Sequence, residues 1–267
     1  DSETSEMMLV DGLQRMKTLE HFTNDDFDIG VLEAQSIAPL SRKKFSQFPD
    51  HYQRIITSCT MAYTEIEGMN DREVLYELFR RYNTGGVNLN AAEIRNAVFH
   101  DNPVHQMLLK LAGEAPGTTA QTMSQETKDL RQRLGFSNRV DERNRFKVYN
   151  YLCRYYGYSL GTRGTTTAKS IVEFMNENEA ASASVVKELK KQIDEVTKRT
   201  TRLFGRYAFK KINAENQPSN SFGAWQFTIQ MIGTKHLIDT GKINNVTPDY
   251  VRGCWVQFHA NYIYGQR

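Results

Sequence analysis

The chain has 267 residues, 39% hydrophobic and 24% charged, with a formal net charge of +3. That is long enough for one large domain or two small ones, each with a core of its own, and the composition excludes a disordered or collagen-like chain. No window approaches 18 uninterrupted apolar residues, which argues against a transmembrane helix, and the polar, acidic stretch from Asp1 to Glu6 is not expected to act as a signal peptide. In chain order, residues 7–10 form a short apolar run that predicts a strand entering a turn at Asp11-Gly12. Leu13, Met16, Leu19 and Phe22 follow at helical spacing, which predicts a helix over residues 13–22. Residues 27–37 carry a weak strand signal, residues 49–59 look helical, and residues 61–66 alternate like a strand. Asn70-Asp71 should cap a helix through Tyr82, and Asn83-Thr84-Gly85-Gly86 should stop it, because glycine accepts the left-handed backbone of a helix C-terminus. Asn90 and Glu93 have capping-box spacing for a helix over residues 91–99.

From Asn102 onward only helices and loops are expected, with helices over residues 103–111, 120–134, 141–156, 166–176, 184–211, 224–238 and 248–262. Residues 115–117 and 217–220 read as loops. In the longest helix Val186, Leu189, Ile193, Val196, Thr200, Leu203 and Tyr207 recur three and four apart, the signature of a buried seam. The pattern as a whole predicts an α+β fold that is predominantly α: a motif-bearing region over residues 1–100 with a few strands, then a helical domain over residues 101–267. Phe146, Tyr149, Cys153 and Tyr156 follow helical spacing and are expected in the core, as are Trp225 and Trp255; Tyr155 and Tyr158 are candidates for exposure. The three cysteines, Cys59, Cys153 and Cys254, are odd in number and far apart. They make neither a zinc spacing nor a disulfide framework, and are expected as small core residues of a reducing cytoplasm.

One constellation carries chemistry. In Val10-Asp11-Gly12-Leu13-Gln14-Arg15 an apolar run ends, a glycine permits a tight turn and a helix begins. Unbonded N–H groups at a helix start favour an anion. Arg15 offers a planar fork for phosphate oxygens, Asp11 a carboxylate for a hydrated magnesium ion, and Gln14 an amide that can orient a water. An ordinary Asp-Gly turn is the plain alternative. His100 and His105 stand five apart with no third ligand type beside them and are expected as ordinary, partly exposed histidines. Lys187, Lys191, Lys198, Arg202, Arg206 and Lys210 recur at steps of about four or seven, tracing a basic stripe of the kind that phosphate contacts on DNA need. A solvated helix face laced by pairs such as Lys191 with Glu195 is the alternative. Arg131, Arg133, Arg139, Arg143, Arg145 and Lys147 make a second basic zone.

The stretch Asp11-Gly12-Leu13-Gln14-Arg15-Met16-Lys17-Thr18-Leu19 resembles the DGQQR signature, with Leu13 in place of its first glutamine. Residues 78–96, Leu-Phe-Arg-Arg-Tyr-Asn-Thr-Gly-Gly-Val-Asn-Leu-Asn-Ala-Ala-Glu-Ile-Arg-Asn, are similar to the block that follows it in the same family, about 65 residues on. The chain thereby resembles the DGQQR-motif family, the ParB/sulfiredoxin-like module of GmrSD-type modification-dependent restriction systems. The resemblance implies a remnant of a small β-containing subdomain, incomplete at its N-terminus because the family's upstream arginine-bearing stretch is missing, followed by a helical bundle. It implies a cytoplasmic, nucleotide-binding module of a phage-defence system, with nucleoside triphosphate hydrolysis as its reaction class, working beside an HNH-type nuclease subunit or domain. Asp11, Gln14 and Arg15 would be catalytic, with Asp11 also the magnesium ligand. Gly12, Arg81, Asn83, Thr84 and Gly85 would bind the nucleotide. Glu93 and Arg95 would assist or, alternatively, serve the fold, Glu93 as a cap and Arg95 by pairing with an acid. DNA would lie along Lys191, Lys198, Arg202 and Arg206. The alternative function is a non-catalytic DNA- or protein-binding scaffold of the same fold. A sulfiredoxin-like redox role ranks lower, since no cysteine lies near either motif.

Overall fold

The computed structural model describes residues 9, 12–66, 71–82, 89–138, 146–160, 167–213 and 215–261. Among the described residues stand eleven α-helices and one two-stranded sheet, the predominantly helical class that the pattern predicts. The chain divides into two units, Asp1–Asn88 and Leu89–Arg267.

The first unit holds α1 (Leu13–Thr23), α2 (Asp50–Thr57) and α3 (Arg72–Tyr82). Phe22, near the end of α1, makes a small core with Leu40 and Phe48, closed by Ile29, Leu32, Ile37, Phe45, Tyr52 and Ile56. Its ring stands 5.6 Å from Phe27, 5.8 Å from Phe45 and 5.6 Å from Phe48, within the range of favourable aromatic pairing. Residues 27–37 are not a strand. Phe27, Ile29, Leu32 and Ile37 fold over Phe22 while Val31 stays exposed, and the Leu32 amide donates to Ser41 Oγ at 3.0 Å rather than to a neighbouring strand. Residues 61–66 also belong to no ladder, and Met61, Tyr63 and Ile66 are exposed. The strand expected over residues 7–10 lies outside the described residues apart from Leu9, which is in no strand. The start of α3 is held as its sequence predicts: Asp71 Oδ1 accepts from the Glu73 amide at 2.8 Å. Asn70 and the stop at Asn83-Thr84-Gly85-Gly86 lie outside the described residues.

The second unit runs through α4 (Ala91–Val98), α5 (Pro103–Ala112), α6 (Gln125–Arg133), α7 (Lys147–Leu160), α8 (Thr167–Glu177), α9 (Ala183–Phe204), α10 (Ala224–Asp239) and α11 (Pro248–His259). The α4 capping box forms as spaced: Asn90 Oδ1 accepts from the Ala92 and Glu93 amides, and Glu93 Oε2 accepts from the Asn90 amide at 2.8 Å. At the start of α5 the Asn102 side chain accepts from the Val104 and His105 amides, with Pro103 at the first helical position. α6 begins later than its periodicity suggests, because Ser124 Oγ takes the Thr127 amide and fixes the start there.

α7 is the centre, packed against α5, α8 and α10. Val148, Tyr149, Leu152, Cys153, Tyr155 and Tyr156 are all buried. Full burial of a large apolar side chain stabilises by roughly 1.5–3 kcal/mol, so this helix anchors the unit. Tyr155 thus joins the core, against expectation, whereas Tyr158 is exposed. Gly157 brings α7 onto α8: a Cβ there would stand 2.7 Å from Ile171 Cγ1 and 3.1 Å from the Ile171 backbone nitrogen. The cysteine expectation holds only for Cys153; Cys59 and Cys254 are exposed.

α9 packs against α5, α6, α10 and α11 through the predicted seam, with Ile193, Val196, Thr200 and Leu203 buried. It does not continue to Lys211. Gly205 turns to φ 53, and Arg252 of α11 donates to the orphan carbonyls of Leu203 and Arg202 at 3.1 and 3.2 Å. The expectation of helices and loops alone fails here. β1 (Lys210–Ile212) pairs antiparallel with β2 (Pro218–Phe222), Lys210 opposite Phe222 and Ile212 opposite Pro218. Residues 217–220, read as a loop, start the second strand, and Pro218 is tolerated because it is the first residue of an edge strand. Gln230 of α10 fastens this hairpin: its Oε1 accepts from the Phe209 amide at 2.7 Å and its Nε2 donates to the Tyr207 carbonyl at 3.1 Å.

Candidate functional site

α1 begins on Gly12, whose backbone is left-handed at φ 94, a conformation that costs a side-chain-bearing residue but not glycine. Arg15, one turn on, folds its guanidinium back over this glycine: Nη2, Nε and Cζ lie 3.4 to 3.8 Å from the place a Cβ would take. A Cβ there would be in ordinary contact with the arginine, so it is the positive φ and not the space that calls for glycine. A guanidinium set over a helix N-terminus sums two positive fields at one exposed point. Leu13, Gln14 and Arg15 are all exposed around it. Asp11, the expected magnesium ligand, lies outside the described residues. Among the described residues no group of three or more His, Cys, Asp or Glu side chains gathers as a metal site would.

Arg81 sits on the last turn of α3, exposed, with its Nε on Glu77 Oε1 at 2.9 Å. The same carboxylate takes a two-pronged contact from Arg80, both bonds 2.8 Å. The Arg80 and Arg81 contacts draw the Glu77 carboxyl down to about 2, so it stays ionised at any ordinary pH. The cluster carries two positive charges against one negative, at the point where the chain leaves for Asn83, Thr84 and Gly85. Those three residues lie outside the described set. Of the expected site residues, then, Gly12 and Arg15 meet, Gln14 stands beside them on the first turn, and Arg81 is tied to Glu77.

The end of the second motif leads inward. Glu93 is a cap, as above. Arg95 is 1% exposed and pairs with no acid among the described residues, unlike the alternative role read for it: its Nη2 donates to Asn150 Oδ1 at 2.5 Å, and its guanidinium lies over the Tyr149 ring at 5.9 Å. His105 is wholly buried rather than partly exposed. Its Nε2 faces Asn96 Oδ1 at 3.2 Å and its Nδ1 faces the Tyr149 hydroxyl at 2.7 Å. Because an amide oxygen only accepts, Nε2 carries the proton and Tyr149 donates to Nδ1. Burial first, and the nearby Arg95 charge second, push this imidazole down to about 4. Next to this network Glu114 accepts from the Val148 and Tyr149 amides at 3.0 and 2.9 Å, capping α7 from outside its own sequence. Burial raises its carboxyl above the ordinary range. The Arg95–Tyr149–His105 network has no signature in the sequence beyond the place of Arg95 and Asn96 at the end of the second motif.

The basic stripe on α9 is real in part. Lys187, Lys191, Lys198 and Arg202 are exposed, and at 100° per residue they fall within an arc of about 60°. Lys198 pairs with Asp194 at 2.6 Å. Arg206 lies past the helix end, over the ring of Tyr207 at 5.0 Å. Of the second basic zone, Lys147 is exposed, whereas Arg131 and Arg133 are not free surface cations. Arg131 is buried, giving its guanidinium hydrogens to the carbonyls of Ala112 and Ser137 beside Glu114, and Arg133 is bound to Asp194 at 2.6 Å. Arg139, Arg143 and Arg145 lie outside the described residues. No helix among the described residues is long and apolar enough to cross a membrane.

Residues 1–100 match the family model for the GmrSD restriction endonuclease, N-terminal domain, a span that contains both motifs. No curated protein and no solved structure gives a significant match to the chain.

Proposed function

We propose that this chain, which over residues 1–100 matches the family model for the GmrSD restriction endonuclease, N-terminal domain, is the nucleotide-binding component of a modification-dependent restriction system and hydrolyses a nucleoside triphosphate in the cytoplasm. The observation that carries the reading is the Arg15 guanidinium folded over left-handed Gly12 at an exposed helix start, inside the family-matched span. Phosphate oxygens would lie against the first-turn amides of α1 and the fork of Arg15. Arg81, with Asn83, Thr84 and Gly85 beyond α3, would take the remaining phosphate charge. Asp11 would hold Mg2+, which neutralises phosphate charge when bound. Gln14 would orient the water that attacks the terminal phosphorus as the diphosphate leaves. The family model describes a restriction endonuclease, so a nuclease subunit or domain is the partner that would use the nucleotide state.

Calorimetry with ATP, GTP, CTP and UTP in the presence of Mg2+, on the chain and on Arg15→Ala, tests this. Arg15→Ala should abolish binding while the circular dichroism of the helices is unchanged. Equal affinity in a folded variant would sink the assignment.

A second reading, a non-catalytic DNA-binding scaffold, rests on the exposed arc of Lys187, Lys191, Lys198 and Arg202 on α9. Under it, Lys191→Ala and Arg202→Ala should each lower the slope of log affinity for duplex DNA against log salt by about 1. Unchanged slopes would remove this helix from any DNA contact.

A further inference from the structure

Both tryptophans of the chain flank one histidine. His259, on the last turn of α11, is 1% exposed, and neither ring nitrogen has a hydrogen-bond partner among the described residues. Three aromatic rings meet it edge to face: Trp255 at 4.8 Å, Trp225 at 5.7 Å and Phe258 at 6.0 Å. Trp225 comes from the first turn of α10, and the other two from α11 itself. Trp225 also stacks on Trp255 and Phe258, with interplanar angles of 27° and 17°. The imidazole is therefore the piece that fits the C-terminal half of α11 onto the start of α10.

A buried ring with no acceptor in reach is tolerable when neutral and costly when charged. Burial pushes the His259 pKa below the ordinary histidine range, with no charged neighbour adding to the shift. Among the described residues, the charged and titratable groups of the surrounding elements are exposed or engaged with other partners; Lys211 and Lys242, beside the Trp255 cluster, are exposed. Lys235, His236 and Asp239 lie ten or more residues along α10 from Trp225, about 15 Å or further. On α11 itself, Asp249 is exposed and Arg252 is turned to the α9 carbonyls. At the end of α9, Arg202 is exposed and Arg206 lies on Tyr207.

We propose that His259 is a proton-operated latch: the neutral ring locks the C-terminal half of α11 against the part-exposed Trp225, and the imidazolium releases it and uncovers the buried Trp255 ring. The device is independent of the nucleotide site. Because these are the only two tryptophans, intrinsic fluorescence reads this one box. The whole chain is titrated from pH 7.5 to 4.5, following tryptophan emission and far-ultraviolet circular dichroism together, for the native protein and for His259→Phe and His259→Gln. In the native protein the emission should shift to the red, with a midpoint below 6.5, before helix content falls. His259→Phe, which keeps an aromatic ring without a titrating group, should hold its emission constant over that range; His259→Gln serves if the larger ring does not fit. Emission that changes only together with helix content, or that titrates equally in both variants, overturns the latch, and so does constant emission in the folded native protein.

Discussion

Acid should weaken the helical unit through His105. The imidazole is wholly buried and held down to about 4, against 6.5 for the free side chain. Between those values the unfolded chain binds the proton and the folded chain does not, so stability is complete above about pH 6.5 and falls as pH drops towards 4. At about 1.4 kcal/mol per unit, the 1.5 units between pH 6.5 and pH 5 amount to roughly 2 kcal/mol lost by pH 5. Protonation also turns Nδ1 into a donor facing the Tyr149 hydroxyl, and adds a charge beside Arg95. Glu114 acts in the opposite sense: its raised pKa makes the folded state the better proton acceptor above 4.5, which offsets part of the loss. His259 acts in the same sense as His105. A substitution is therefore needed to isolate His105. His105→Gln keeps an acceptor for Tyr149 and a donor for Asn96 but cannot titrate. Urea denaturation at pH 7.5 and pH 5.0, followed by circular dichroism, should show the native protein losing about 2 kcal/mol more than His105→Gln between the two pH values. An equal loss in both proteins would refute the reasoning.

Three further substitutions probe the same unit. Gly157→Ala places a methyl against the backbone of Ile171, which cannot rotate away, and should cost about 1–3 kcal/mol in chemical denaturation; a neutral change would mean that α7 and α8 part freely. Glu114→Ala removes both acceptors from the start of α7 and should cost about 2–3 kcal/mol, with early amide exchange at Val148 and Tyr149 as the local readout. Asn90→Ala strips the α4 cap and should cost about 1 kcal/mol, whereas Asn90→Ser should restore most of it.

What the sequence disclosed and what it hid divide along the range of the interactions. Asn90 with Glu93, Asp71 with Glu73, and the α9 seam are settled within one or two turns, so their spacing is enough to read them. The end of α9 was misplaced because Tyr207 continues the seam's rhythm and is buried in the same cluster, although Gly205 has already turned the chain. The hairpin was hidden because Pro218, Ser219 and Asn220 have the composition of a turn, and only the docking of α10 makes them a strand. Residues 27–37 have strand composition, but Ile29, Leu32 and Ile37 pack on the Phe22 cluster instead. Arg131 looked like a surface cation and is buried, because the carbonyls of Ala112 and Ser137 reach it from distant turns. At the candidate site, the join of Gly12 to Arg15 is three residues long and was legible as a motif. The tie of Arg81 to Glu77 is an ordinary helical spacing whose sharing with Arg80 was not foreseen.

Gln230 presents to the chain at Phe209 the same pair of groups, one oxygen and one N–H, that a neighbouring peptide bond would present. Through it a helix stands in for the edge of a third strand. A hairpin of three and five residues is too short to persist alone in water, so it can assemble only once α10 has arrived. The Phe209 amide would then exchange with solvent no faster than α10 detaches, making one proton a clock for the assembly of the chain's last third.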